Sequence, residues 1–323
     1  MARIFYSAIM IKDYLAQIEL KTNLYTPILG DTVFGMICWM LLYQEGETTL
    51  SEFLEESNQS PQAIFSSAFP KGHLPLPNIP KITSLNLSSS QRKKLKKEQW
   101  ISVSKFLEMR NNFSLDEFYK FKLQEYANTI EENPFEKVVS YVPHNSINRL
   151  TGMVEETGGL YFSKVLAKPG SVYDIYISVE EKWDKQIKQA FYLLADYGYG
   201  KDSSIGGGGF QVISYQTTDL FSSQENYTHG LALSPFVPSD KDPVEINYEL
   251  FTRFGKLGVG FITQENLEYS YLKKPFLLFK HGAFCSNQTK GYLGQLVHEV
   301  HRDKRVKHNG YTRILGFNLK ESP

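Results

Sequence analysis

At 323 residues the chain is long enough for two domains of ordinary size, and with 41% hydrophobic and 14% aromatic residues it has material for two cores. Its 35 basic and 35 acidic side chains cancel, which argues against a protein that coats nucleic acid alone but leaves room for a local basic groove beside protein partners. Two cysteines, Cys38 and Cys285, exclude a disulfide framework and lack metal-ligand spacing; the longest apolar run, Val33 to Tyr43, is too short to cross a bilayer and there is no export pattern, so a cytoplasmic protein without membrane contact is expected.

In chain order, Ile4 to Leu20 is rich in strand formers, and Pro27 and Gly30 end the extended stretch. Asp31-Thr32 supplies N-cap chemistry for a helix that is apolar on nearly every side from Val33 to Leu42 and stops at Gly46. Leu50 to Pro80 reads as a short helix and a proline-punctuated extended segment. Ser88-Ser89-Ser90 caps a second helix bearing Arg92, Lys93, Lys94, Lys96 and Lys97, with Leu95, Trp100, Val103 and Phe106 beneath; residues 108–157 have no clean period.

From Gly159 to Leu166 a strand is expected, then a type II turn at Lys168-Pro169-Gly170-Ser171. Tyr173, Ile175, Ile177 and Val179 alternate with polar residues as in a half-buried strand, and Trp183, Ile187, Phe191 and Leu194 recur at helical spacing. A glycine loop and the strand Phe210 to Tyr215 follow. The order β, α, insertion, β, β, α, loop, β predicts an α+β fold with a ferredoxin-like (RRM-like) domain over 1–217, interrupted by an insertion at about 47–157. Residues 218–323 show further strands and no long amphipathic helix, which predicts a second, degenerate ferredoxin-like domain, mostly β.

The loop itself, Asp196 to Val212, reads DYGYGKDSSIGGGGFQV. Gly198, Gly200 and Gly206, Gly207, Gly208 and Gly209 let a ligand backbone approach closely, and successive amides can turn inward on an anion. Nucleotide-binding loops run strand, loop, helix, so that the positive helix end faces the phosphate. Here the loop follows a helix C-terminus, which repels an anion, so Lys201 must supply charge, with Ser203 and Ser204 beside it. That arrangement suits a polynucleotide backbone better than a mononucleotide, and Phe210 closes the candidate surface.

A second cluster, YVPHNSINRLTG, brings His144, Asn145, Asn148 and Arg149 together, side chains able to contact phosphate, ribose and base edges. A loop capping its own turn is the bland alternative; the position before the hairpin that leads to the glycine loop favours RNA contact. His144 as a general base on a ribose hydroxyl ranks below binding. The run Arg92–Lys97 reads first as a solvated helix face, with a sequence-independent nucleic-acid surface as the minority reading. His298, His301 and His308 match no metal motif, so a surface strand or loop is expected and no metal or cofactor is assigned.

These motifs resemble those of the RAMP superfamily of CRISPR proteins: the glycine loop after the second helix, HNSINRLTG followed by GGLYFSKVL, and PILGDTVFGMICWML near the start. FSSAFP, LPLP, KPFLLFKHGAF and GYLGQLVHEV resemble more narrowly the fourth-subunit family of the type III-A (Csm) effector. The resemblance implies a non-catalytic role: gripping the repeat-derived 5′ handle of the crRNA, docking the large polymerase-like subunit and abutting the adjacent backbone RAMP subunit. It maps the family's loop onto Gly198–Gly209 and its arginine-bearing segment onto His144–Arg149. The four-glycine run departs from a sparser pattern and predicts a more mobile loop. Three alternatives stay open: a repeat-cleaving endoribonuclease of the same superfamily, the type III-B cap subunit, and a scaffold whose glycines form a hinge.

Overall fold

The computed structural model describes residues 11–80, 83–128, 140–145, 151, 153–154, 159–243, 245–258, 271–286 and 291–320. In chain order the first part holds β1 (Ile11–Leu20), α1 (Gly30–Gln59), β2 (Ala63–Phe65), β3 (Phe69–Pro70), β4 (His73–Pro75), α2 (Ser89–Lys96), β5 (Trp100–Ser102), α3 (Val103–Met109), α4 (Leu115–Asn128), β6 (Ser140–Asn145) and β7 (Leu160–Val165). Then come β8 (Val172–Glu180), α5 (Asp184–Tyr197) and β9 (Phe210–Thr217). The rest is β: β10 (His229–Ala232), β11 (Ile246–Asn247), β12 (Leu250–Arg253), β13 (Phe276–Phe279), β14 (Phe284–Ser286), β15 (Tyr292–Val297) and β16 (His308–Phe317).

The central sheet is antiparallel in the order β2-β8-β1-β9, with β3 also on β8. Numbered by their place in the β-α-β-β-α-β series, these are strands two, three, one and four. Apolar alternation explains its helix-side face: Ala16, Ile18, Leu20, Ile175, Ile177 and Val179 are buried against Val33, Ile37, Met40 and Leu41 of α1 and Ile187, Phe191 and Leu194 of α5. The opposite face is covered too, because Tyr176 and the underside residue Leu15 join a second core with Phe69, Leu74, Phe106, Phe113, Phe221, Phe284 and Phe317. That core draws on the segment between β3 and β8 and on the second sheet, whose order is β11-β14-β10-β16-β15.

Several expectations are corrected. The expected strand over 159–166 does form, but it pairs with β6 in a separate two-stranded ribbon, and the place beside β8 is taken by β2 and β3. β2 and β3 thus lie within the stretch 47–157 that was expected to be an insertion, yet both belong to the central sheet. Gly46, at φ +86°, interrupts α1 instead of ending it. Asp31 does not cap α1: the N-cap residue is Leu29, and Asp31 lies buried with Nε of Arg253 at 2.9 Å and Nε2 of His308 at 3.3 Å from its Oδ2. α4 occupies a stretch read as aperiodic, with Phe118 and Tyr119 buried. Ser88 caps α2 as expected, its hydroxyl accepting from the Gln91 amide while the Gln91 side chain accepts from the Ser88 amide.

Candidate nucleic-acid interface

With the middle of the central sheet covered on both faces at β8 and β1, the parts of this region open to a ligand are its loops and its β9 edge. The glycine loop begins where α5 ends: the Gly198 amide donates to the Leu194 carbonyl at 3.0 Å, and φ turns to +83°. Tyr199 is driven inward, and its hydroxyl donates to the Pro27 carbonyl at 3.1 Å and accepts from the Leu29 amide at 3.2 Å. Burial, with Asp31 adding to it, raises that hydroxyl's pKa above the ordinary tyrosine value.

The loop is braced from the β1–α1 connection. The Gly209 amide donates to Thr22 Oγ1 at 2.8 Å, the Gly208 amide to the Asn23 carbonyl at 2.9 Å, and the Lys201 amide to Thr26 Oγ1 at 3.0 Å. Gly207 donates to the Asp202 carbonyl at 2.8 Å and Tyr199 to that of Gly208 at 3.0 Å. At Gly208 φ is +65°, and a Cβ would lie 1.9 Å from the Tyr199 carbonyl oxygen, so only glycine fits.

This bracing redraws the candidate list. Gly198, Gly207 and Gly208 are buried, and Phe210 is only 7% exposed with its ring centroid 6.3 Å from that of Phe191, so these four are loop-forming and core residues without a surface to offer. Lys201, Ser204 and Gly206 are exposed; Gly200, Ser203 and Gly209 are half-buried on the rim.

The β6–β7 ribbon leans on that rim. Leu24 pairs with Ala167 just past β7, which anchors the ribbon beside the loop. Lys201 Nζ donates to Ser163 Oγ at 2.9 Å and lies 4.0 Å from Asp202 Oδ2, to which Ser163 Oγ donates at 3.4 Å. The lysine is thus held at the junction of loop and ribbon. His144 faces the same side: its ring stacks on Tyr161 at 5.0 Å and meets Tyr25 edge-on at 6.3 Å, and its buried Nε2 makes no hydrogen bond to any of the described residues. Tyr25 in turn borders Gly207. Sequence reasoning singled out His144 but not Ser163, Tyr161 or Tyr25, which connect the ribbon to the loop.

The other ribbon face is open. Across the register Tyr141 pairs with Lys164, Pro143 with Phe162 and Asn145 with Leu160, and Tyr141 and Phe162 are each 59% exposed. The alternation in SYVPHN could have disclosed this face. Asn148 and Arg149 lie outside the described residues.

The histidines near the C-terminal end do not converge. His298 bonds Asn58 and Lys307, while His301 and His308 are buried, not on a surface strand or loop as expected. Among the described residues no group of three His, Cys, Asp or Glu side chains is set to hold a metal ion, and no helix is long and apolar enough to cross a membrane.

No family model matches the sequence, and no curated protein matches it either. Solved structures do match in fold. One is the Csm1-Csm4 cassette in complex with pppApA, at 18% identity and a TM-score of 0.55, covering 96% of this chain and 100% of that one. Another is the Csm3-Csm4 subcomplex of the type III-A CRISPR-Cas interference complex, at 15% identity and a TM-score of 0.57, covering 94% and 99%. A third, the Csm1-Csm4 cassette with AMPPNP, matches at 20% identity and a TM-score of 0.55 over 96% and 100%. Along almost its whole length the chain has the fold of Csm4 in these assemblies.

Proposed function

We propose that this chain is a non-catalytic crRNA-binding subunit of a type III-A CRISPR effector, acting in antiviral defence and holding the repeat-derived 5′ handle. The observation that carries the reading is Lys201, fixed by Ser163 and Asp202 where the braced glycine loop meets the ribbon, in a chain with the Csm4 fold. Handle phosphates follow the rim at Lys201, Ser203, Ser204 and Gly206, and bases stack on the exposed aromatic ribbon face. The role is retention. His144 is stacked and its Nε2 shielded, which supports binding over proton transfer.

The fold is read as two ferredoxin-like domains, 1–217 and 218–323. In support, β11, β14, β10 and β16 repeat in space the second–third–first–fourth order of the central sheet, without its helices. The partners are the large polymerase-like subunit and the adjacent backbone RAMP subunit, in keeping with the Csm1-Csm4 and Csm3-Csm4 neighbours, in the cytoplasm.

The test compares RNAs with the cognate repeat-derived handle and with a scrambled one. Lys201→Ala combined with Arg149→Ala lowers retention of handle RNA in the assembled complex. Unchanged retention refutes the contact assignment, and metal-independent cleavage of precursor RNA that is lost in His144→Ala overturns the non-catalytic role.

A further inference from the structure

We propose that α2 and the cavity beside it form a second RNA surface, one that tracks the sugar–phosphate backbone of a single strand and takes one base, without regard to sequence. It uses different elements from the glycine loop and does not require the handle assignment.

The helix has one apolar side chain, Leu95, which is buried, and every basic residue on it is exposed: Arg92, Lys93, Lys94, Lys96 and Lys97. Arg92, Lys93, Lys94 and Lys97 form no salt bridge among the described residues, although the chain as a whole is neutral. Like charges at helical spacings of three and four repel, so the cluster holds charge that a polyanion would neutralise. At about 1.5 Å of rise per residue the five cations span about 7.5 Å of axis, the scale of neighbouring phosphates once lysine reach is added. A protein partner fits less well, since interface cores are depleted in lysine and this helix presents no exposed apolar anchor.

The track leads somewhere. Lys96 also lines a cavity of about 280 Å³ with Pro75, Pro77, Trp100, Lys280 and His281. Trp100 is half-buried, and its ring stacks on His281 at 6.1 Å and 19°. The two carboxylates in the wall are already engaged, Glu98 by Tyr126 and Lys122 and Glu249 by Lys280 at 3.0 Å. A cationic approach ending at a cavity lined by an indole is the pairing that single-strand binders use.

The experiment uses the full chain and a fluorescent 20-nucleotide oligouridine, which has no repeat sequence, followed by anisotropy across a salt series. The variant R92Q/K93Q/K94Q/K97Q keeps Leu95, Ser88 and Gln91, so α2 remains capped and packed. Four lost phosphate contacts flatten the slope of log affinity against log salt by about 3, so that between about 50 and about 200 mM salt the unaltered chain loses roughly 50-fold more affinity than the variant. Lys201→Ala changes that slope by no more than about one contact's worth, about 0.7. Trp100→Phe, which keeps an aromatic in the core, reduces the quenching of tryptophan emission on RNA binding. An unchanged slope in the quadruple variant overturns the proposal, as does normal RNA binding together with failure to join a protein partner, which would mean an acidic protein occupies this face.

Discussion

Replacing Gly208 and Gly206 by alanine, one at a time, tests whether the loop is rigid by packing. Both residues have positive φ, +65° and +89°, so both variants carry left-handed strain of about 1–2 kcal/mol. At Gly206 nothing lies within 4 Å of an added Cβ, and the cost ends there. At Gly208 the methyl would sit 1.9 Å from the Tyr199 carbonyl, and relief means moving a residue whose backbone bonds Gly208 and whose hydroxyl bonds Pro27 and Leu29. Overpacking of about 1–3 kcal/mol and one or two weakened hydrogen bonds put Gly208→Ala roughly 2–4 kcal/mol below Gly206→Ala. Urea unfolding followed by far-ultraviolet dichroism measures the difference. If the two variants unfold within 0.5 kcal/mol of each other, a threshold of about the usual error of such extrapolations, the loop is not braced as described.

Asp31→Asn leaves the half-buried Arg253 guanidinium without its counter-charge and the buried His308 ring without its carboxylate partner, and costs about 3–5 kcal/mol in the same assay, while a loss below about 1 kcal/mol would refute the pairing. Burial between Trp100 and Phe69, with Lys280 adding to it, pushes His281 down to about 4. The unfolded chain therefore binds a proton at this site that the folded one refuses, and stability falls as pH drops from about 6.5 toward 4. A midpoint-against-pH curve in His281→Gln is flatter over that window; an identical curve counts against the assignment. Burial raises the thiols of Cys38 and Cys285 to about 12 and about 11, so iodoacetamide at neutral pH leaves both unlabelled until denaturant is added. Ser88→Ala removes one half of the α2 capping box and lowers stability by about 1 kcal/mol, read from the urea midpoint.

What was legible in the sequence were the elements with a strong period or a backbone constraint. Strand alternation placed β8, helical spacing placed α5, and the glycines placed the loop between α5 and β9, because each signal reports on one element alone. Pairing was less legible. β2 and β3 contribute only Ala63–Phe65 and Phe69–Pro70 to the central sheet, too short to show a period, so the better-patterned β7 was assigned their place. α4 escaped because its apolar residues meet the inserted core across a mixed surface. At the candidate site the sequence disclosed the rim, Lys201, Ser203, Ser204 and Gly206, and the neighbourhood of His144. It could not separate the glycines on the open rim from those whose missing Cβ makes room for Tyr199 and Thr26. Phe210 was misassigned for a related reason: a β9 aromatic at the loop's edge points to Phe191 in the core.

The shared underside of the central sheet has one further consequence. Tyr176 meets Phe221 edge-on at 5.8 Å, Arg313 reaches across to Asp13 at 3.0 Å, and all ten residues of β16 are buried. Cutting the chain after residue 217 would strip that lining away and bare a broad greasy floor to solvent. The halves are thus obligate companions, and a shortened chain should clump, however complete its strand count looks on paper.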